Sequence, residues 1–200
     1  MGLHSTEAIG AVLAGGRGTR IGRPKATLDL GDRHLLEHPL AAFARAEIEA
    51  VVVAKRDTSL PPLPVEIWRE PDEPAHPLCG IVTALERSDG RAVLVCGCDM
   101  PFVSPGLLTS LARRTERLVV PFAGGRLHPL LARYEPMLLE PLRRSLHENR
   151  PLQESIAELE PSIIDESGLQ ELGDPELLLF NINEPADLQH AEEILRNGYP

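Results

Sequence analysis

Four short apolar runs constrain what this chain can fold into. They are IGAVL from Ile9 to Leu13, EAVVVAK around Val51–Val53, VEIWRE from Val65, and RAVLVCGCD centred on Val93–Cys96. Each is short and rich in β-branched residues, as strands covered on both faces tend to be. Helical patterns lie between them. Leu35, Leu36, Leu40, Phe43 and Ala44 fit one apolar face, with Pro39 either in the first turn or kinking the helix. Ile81, Ala84 and Leu85 fit another, and Ser104-Pro105 before GLLTSLARR reads as an N-cap with proline at the first helical position. Strand–helix alternation implies right-handed parallel βαβ units. The expected fold is therefore α/β and Rossmann-like, a mainly parallel sheet flanked by helices.

After Arg117 the pattern changes. LVVP is followed by GRLHPLLARY, in which His128 is expected in a strand, then by a helix near Leu138–Leu146 and a last helix from about Glu184-Pro185. Gly124-Gly125 marks a hairpin or small additional lobe in this second half. The chain has 200 residues with no internal repeat, so a single domain over residues 1–200 is expected.

Charge narrows the partners. The formal net charge is −10, which argues against a general nucleic-acid or anionic-membrane surface. No apolar run reaches the length of a membrane span, and the first residues lack the pattern of a signal peptide. Cys79, Cys96 and Cys98 read as reduced thiols, so a cytoplasmic location is expected. Cys96-Gly97-Cys98 has no second cysteine or histidine cluster at zinc spacing and reads as packing.

Against this acidic background, Arg17, Arg20, Arg23 and Lys25 crowd one glycine-rich loop after the first strand. Ligands of open α/β sheets bind at the carboxyl ends of the strands, and glycines there let backbone N–H groups approach phosphate oxygens. Two well-known phosphate loops fail. The P-loop needs a longer glycine spacing than Gly18 to Gly22, and Lys25 follows proline. The dinucleotide fingerprint fails because Gly22 comes one place late after Gly16 and Gly18. What remains is L-A-G-G-x-x-x-R-x-G-x-P-K, from Leu13 to Lys25. A triphosphate explains its residue types. Arg20 forks onto two phosphate oxygens, Lys25 supplies a point charge, and such transfers depend on positioning and charge stabilisation.

Asp99 follows the fourth strand and faces the same crevice. It is the candidate for a hard cation, Mg²⁺, which binds one or two carboxylates together with phosphates and water. Pro77, Leu78 and Gly80 in HPLCGI are candidates for a wall of a nucleotide pocket. Asn181 and Asn183, two apart in FNINEPADL, share one face of an extended segment. Either they cap the helix that follows, or their amides reach a polar heterocycle or the metal's surroundings.

Taken in order, LAGGRGTRIGRPKATL, PLCG, CGCDMPFV, HPLLARY and FNINEPADL resemble the molybdenum cofactor guanylyltransferase family over nearly the whole chain. The resemblance implies that Leu13, Ala14, Gly15, Lys25 and Asp99 bind the nucleotide; the residues themselves add Gly16, Leu78, Gly80 and Glu70 as nucleotide-binding candidates, and Arg20, Lys25 and Asp99 as the catalytic ones. It implies Mg²⁺ on Asp99 and an acceptor read by Asn181 and Asn183. The substrates it implies are GTP and molybdopterin, with transient contacts to other proteins of cofactor biosynthesis. The alternatives are a related enzyme using CTP or another phosphorylated acceptor, and a non-catalytic nucleotide-binding regulatory module. The chain departs from the family where an asparagine often follows the second strand; here stand Ala54, Lys55 and Arg56. An aspartate often follows the third, and here REPDEP offers Glu70 or Asp72. Both departures fall where the base is read.

Overall fold

The structure, a computed structural model, describes residues 8–16 and 24–198. In chain order the elements are β1 (Ile9–Leu13), a 3₁₀ turn (Lys25–Thr27), β2 (Asp29–Leu30), β3 (Arg33–His34), α1 (Glu37–Arg45), β4 (Ala50–Ala54), β5 (Ile67–Arg69), α2 (Pro77–Arg87) and β6 (Val93–Gly97). Then come α3 (Pro105–Ala112), β7 (Leu118–Ala123), β8 (Arg126–Leu127), β9 (Leu131–Tyr134), a 3₁₀ turn (Pro136–Leu138), α4 (Leu139–His147), α5 (Leu152–Ala157), β10 (Ser162–Ile164), α6 (Glu166–Gln170), α7 (Pro175–Leu178) and α8 (Pro185–Arg196).

The main sheet runs β10-β7-β9-β6-β1-β4-β5, and β8 pairs with β7 beside this order. The pairs β1–β4, β1–β6, β4–β5 and β7–β10 are parallel. Strand β9 is antiparallel to both neighbours. The fold is thus a mainly parallel mixed sheet with helices on both faces, as the alternation predicted. The expected hairpin is β7–β8, with Phe122 opposite Leu127. Gly124 and Gly125 both have positive φ, +58° and +73°, which suits a two-residue turn matched to strand twist.

Period-two alternation divides the core. Ile9 and Ala11 of β1, Val51 and Val53 of β4, and Val93 and Val95 of β6 pack with Ile81 and Leu85 of α2 and Leu142 of α4. Val12, Val52, Leu94 and Cys96 point the other way, to Phe43 of α1 and Leu107, Leu108 and Leu111 of α3. Each such fully buried side chain contributes about 1.5–3 kcal/mol relative to exposure. Pro39 sits in the first turn of α1, where its missing N–H costs no helical bond. Ser104 Oγ accepts from Leu107 N at 3.1 Å and starts α3 as expected.

A smaller apolar cluster ties the two ends of the chain together. Leu28, Leu30 and Leu35 around the β2–β3 hairpin pack with Phe102, Ile182 and Ala191, and with Leu188 and Leu195 of α8. The third strand begins at Ile67 rather than Val65. His128, expected in a strand, lies in the connection between β8 and β9. There its backbone N–H bonds Pro121 O at 2.9 Å and its ring bonds Ala123 O at 3.3 Å. Burial of that ring lowers its pKa from the ordinary histidine value.

Candidate active site

Register places the site. Leu13 at the end of β1 lies beside Gly97 at the end of β6. Two backbone bonds extend this alignment past the strands: Cys98 N to Leu13 O at 3.1 Å, and Ala14 N to Val53 O at 2.8 Å. The loops leaving β1, β4, β5 and β6 therefore share one end of the sheet, together with the start of α2. Between them opens a cavity of about 380 Å³. Leu13, Gly15, Gly16, Lys25, Glu70, Gly80 and Asp99 all line it.

Two close approaches shape its floor. A Cβ on Gly15 would lie 1.8 Å from Glu70 Oε1, so only glycine admits the carboxylate there. A Cβ on Gly97 would lie 2.5 Å from Asp99 Oδ1. The other oxygen, Asp99 Oδ2, accepts from Lys25 Nζ at 2.7 Å. Lys25 Nζ also donates to Asn183 Oδ1 at 2.9 Å. Among the described residues no group of three or more His, Cys, Asp or Glu side chains forms a metal cage. A single carboxylate with space kept beside one oxygen fits a cation that draws its remaining ligands from phosphates and water.

Of the two acidic residues offered by REPDEP, Glu70 lines the cavity at 7% exposure, whereas Asp72 is exposed and off the lining. Burial pushes the Glu70 carboxyl up to about 7, while the Lys55 ammonium opposes the shift and Asp72 adds to it. Burial also raises the Cys96 and Cys98 thiols, and the charge of Asp99 acts in the same direction. Both cysteines are packed apolar side chains.

Several expectations change. Leu78 is fully buried and packs with Ile81 and Leu85 on the core face of α2, whereas Pro77 and Gly80 face the cavity. Ala14 is likewise packed in the core rather than on the cavity lining. Neither asparagine caps α8. The Asp187 carboxylate does so, accepting from Asn183 N and Glu184 N, both at 2.8 Å. The amide of Asn181 donates to Leu179 O at 2.8 Å, so the two asparagines have different partners. Arg20 lies outside the described residues.

Among the cavity residues that sequence reading passed over are the polar side chains of Lys55 and His76. Lys55 directly follows the last buried residue of β4, and that position was its one signal. His76 caps α2 through Nδ1, which accepts from Leu78 N at 3.1 Å.

The sequence matches the MobA-like NTP transferase domain over residues 10–162. A molybdenum cofactor guanylyltransferase from Rhizobium meliloti is 29% identical, covering 94% of this chain and 92% of that one. A probable molybdenum cofactor guanylyltransferase from Chloroflexus aggregans is 31% identical, covering 93% and 94%. In structure, the chain is similar to molybdopterin-guanine dinucleotide biosynthesis protein A from Archaeoglobus fulgidus, with TM-score 0.78, 26% identity, and coverage of 94% and 98%. With the glycine loop and Asp99 at one sheet end, these matches make the chain a nucleotidyltransferase that belongs to the MobA-like NTP transferase family.

Proposed function

We propose that this chain transfers GMP from GTP to the terminal phosphate of molybdopterin, giving molybdopterin guanine dinucleotide and pyrophosphate. The observation that carries the reading is the meeting of Lys25 and Asp99 at a cavity between the ends of β1 and β6. The names of the relatives support the choice of substrates.

The acceptor phosphate is already ionised, so no protein nucleophile is needed. One of its oxygens attacks the α-phosphorus in line. The new P–O bond forms as the bond from the α-phosphorus to the bridging oxygen breaks, and pyrophosphate leaves with that electron pair. Lys25, with Arg20, stabilises charge on the triphosphate and the leaving group. Backbone N–H groups at Gly15 and Gly16 face the phosphates, Ala14 anchors that turn through its N–H bond to Val53 O, and Leu13, Gly80 and Glu70 border the nucleoside. Leu78 acts only by holding the start of α2. Asp99 would hold Mg²⁺, which when bound neutralises phosphate charge. Asn183 serves the acceptor side through its bond to Lys25, and Asn181 by shaping the same segment. The reading takes residues 1–200 as one nucleotidyltransferase domain, acting in the cytoplasm with transient contacts to other cofactor proteins.

The test is product mass. Purified protein is incubated with GTP, CTP, Mg²⁺ and molybdopterin together. Molybdopterin guanine dinucleotide and pyrophosphate are expected. A cytosine product would move the chain to a sister activity, and nucleotide binding without turnover would make it a binding module.

A further inference from the structure

The motif FNINEPADL holds a side chain that the transfer has not yet used. Asp187, in the first turn of α8, accepts two backbone N–H groups on one carboxylate oxygen, Oδ2: those of Asn183 and Glu184, both at 2.8 Å. The bond from Glu184 caps the helix, because Glu184 is its N-cap residue. The bond from Asn183 lies one residue earlier and serves no helical turn. It holds the residue whose amide oxygen accepts from Lys25 Nζ at 2.9 Å. The neighbouring residue is fixed from the other side. Ile182 is fully buried among Leu28, Leu30 and Phe102, and its N–H bonds Asp99 O at 2.9 Å. Asn183 itself is exposed, so water competes for its amide. Such a bond keeps one geometry when the backbone that carries it is already fixed, since less freedom is then lost in forming it. An ammonium has three N–H donors. Among the described residues Asn183 Oδ1 and Asp99 Oδ2 take two from Lys25, which leaves the third for the cavity that Lys25 lines.

We propose that Asp187 is a positioning residue for the transfer: by holding the Asn183 backbone it aims the Asn183 amide at Lys25, and so sets the direction in which the ammonium meets the phosphates. The inference rests on the nucleotidyl-transfer reading and deepens it. Asp187 is not part of the cavity lining, so it acts through Asn183. Its charge matters as well as its shape, because a hydrogen bond to an ionised acceptor is about twice as strong as a neutral one. One carboxylate thus starts the last helix and orients the lysine.

The experiment compares Asp187→Ala, Asp187→Asn, Asn183→Ala, the double variant of Asp187→Ala with Asn183→Ala, and Leu188→Ala, all in the full chain. Leu188 packs in the apolar cluster under α8 without joining the network, so it controls for loss of stability alone. Each variant is followed by thermal melt, by GTP titration and by pyrophosphate release per folded molecule with molybdopterin and Mg²⁺. A fourth readout is the rate at which trace acetic anhydride, with no substrate present, labels Lys25, read from the mass of its peptide. Asp187→Ala is expected to lower kcat about tenfold with GTP affinity within about twofold of wild type, and to raise Lys25 labelling about threefold or more. Asp187→Asn keeps an oxygen and loses the charge, and should lose about threefold in kcat. It carries the test if the alanine variant does not fold, and unchanged kcat and labelling there overturn the proposal. In the Asn183→Ala background, Asp187→Ala should change kcat by less than about twofold further, whereas independent roles would multiply to about a hundredfold. Leu188→Ala should melt earlier, with kcat and labelling as in wild type. An Asp187→Ala variant that behaves like Leu188→Ala, or multiplying losses in the double variant, would overturn the proposal. If wild type makes no guanine dinucleotide, the guanylyl reading falls alone, and the labelling rates, which need no turnover, still decide Asp187.

Discussion

Lys25 Nζ stands 2.7 Å from Asp99 Oδ2, joining the end of the glycine loop to the end of β6 across 74 residues of sequence. Both side chains are mostly covered, at 16% and 18% exposure. The cation proposed for the phosphates and the carboxylate proposed for a metal are therefore set against each other at one point.

Removing the cation should cost turnover and little stability. Lys25→Ala is expected to lose on the order of 10²-fold in kcat, the scale of one preorganised charge contact. Melting should stay close to wild type, because Lys25 follows the glycine loop and is not part of either sheet core. Steady-state kinetics beside a thermal melt check this. Near-normal turnover in a folded variant would remove Lys25 from the mechanism.

Asp99→Asn keeps the shape and removes the charge. Magnesium should no longer tighten GTP binding, and turnover should collapse. Titrating GTP with and without Mg²⁺ reads the coupling directly. Unchanged coupling would place the metal on another residue.

The two asparagines should separate. Asn183 accepts from Lys25, whereas Asn181 bonds within its own loop. Asn183→Ala is expected to lower kcat about tenfold with GTP affinity nearly intact, since it unties one partner of the lysine. Asn181→Ala should act mainly through the loop, lowering the melting temperature or raising the acceptor KM. Identical kinetic profiles for the two variants would contradict the geometry.

Glu70 makes a pH prediction. Burial raises its carboxyl to about 7, above the ordinary value of 4.5. The native state then holds more protons than the unfolded chain between these values, so this group's contribution to stability is full below about 4.5 and is lost as pH rises through about 7. Accepting N–H groups of a bound nucleoside on both oxygens needs the ionised form, so under the proposed placement of Glu70 beside the nucleoside GTP affinity should move the opposite way and rise with pH through that range. Phosphate titration is common to wild type and Glu70→Gln. The difference between their pH profiles isolates Glu70, and parallel profiles would refute the assignment.

Much of this was legible in the chain because its signals are local or periodic. The β-branched runs gave the strands, and the glycine spacing gave the loop. Leu78 was misplaced because PLCG was read as a motif and not as helix. At helical spacing Leu78 falls with Ile81 and Leu85 toward the core, while Pro77 and Gly80 face the cavity. Strand β10 and helices α5 to α7 went unread because three to six residues are too few to show a period. Lys55 looked like a departure from a pattern, because its burial depends on the Asp72 carbonyl brought over by β5. The partner of Asn183 lies 158 residues away, beyond any spacing rule.

The packing of α8 on the β2–β3 hairpin bears on when the enzyme becomes active during its synthesis. Every described residue lining the cavity precedes Leu131, so a nucleotide site can close while α8 is still being made. Asn183, Ile182 and the bond from Ile182 N to Asp99 O at 2.9 Å arrive only with the final segment. A chain stopped at Leu179 should bind GTP and release almost no pyrophosphate, and substantial turnover from it would show that the last segment is dispensable. Nascent chains would then hold the nucleotide before they could spend it, and synthesis of the segment carrying Ile182 and Asn183 would itself be the step that arms the lysine.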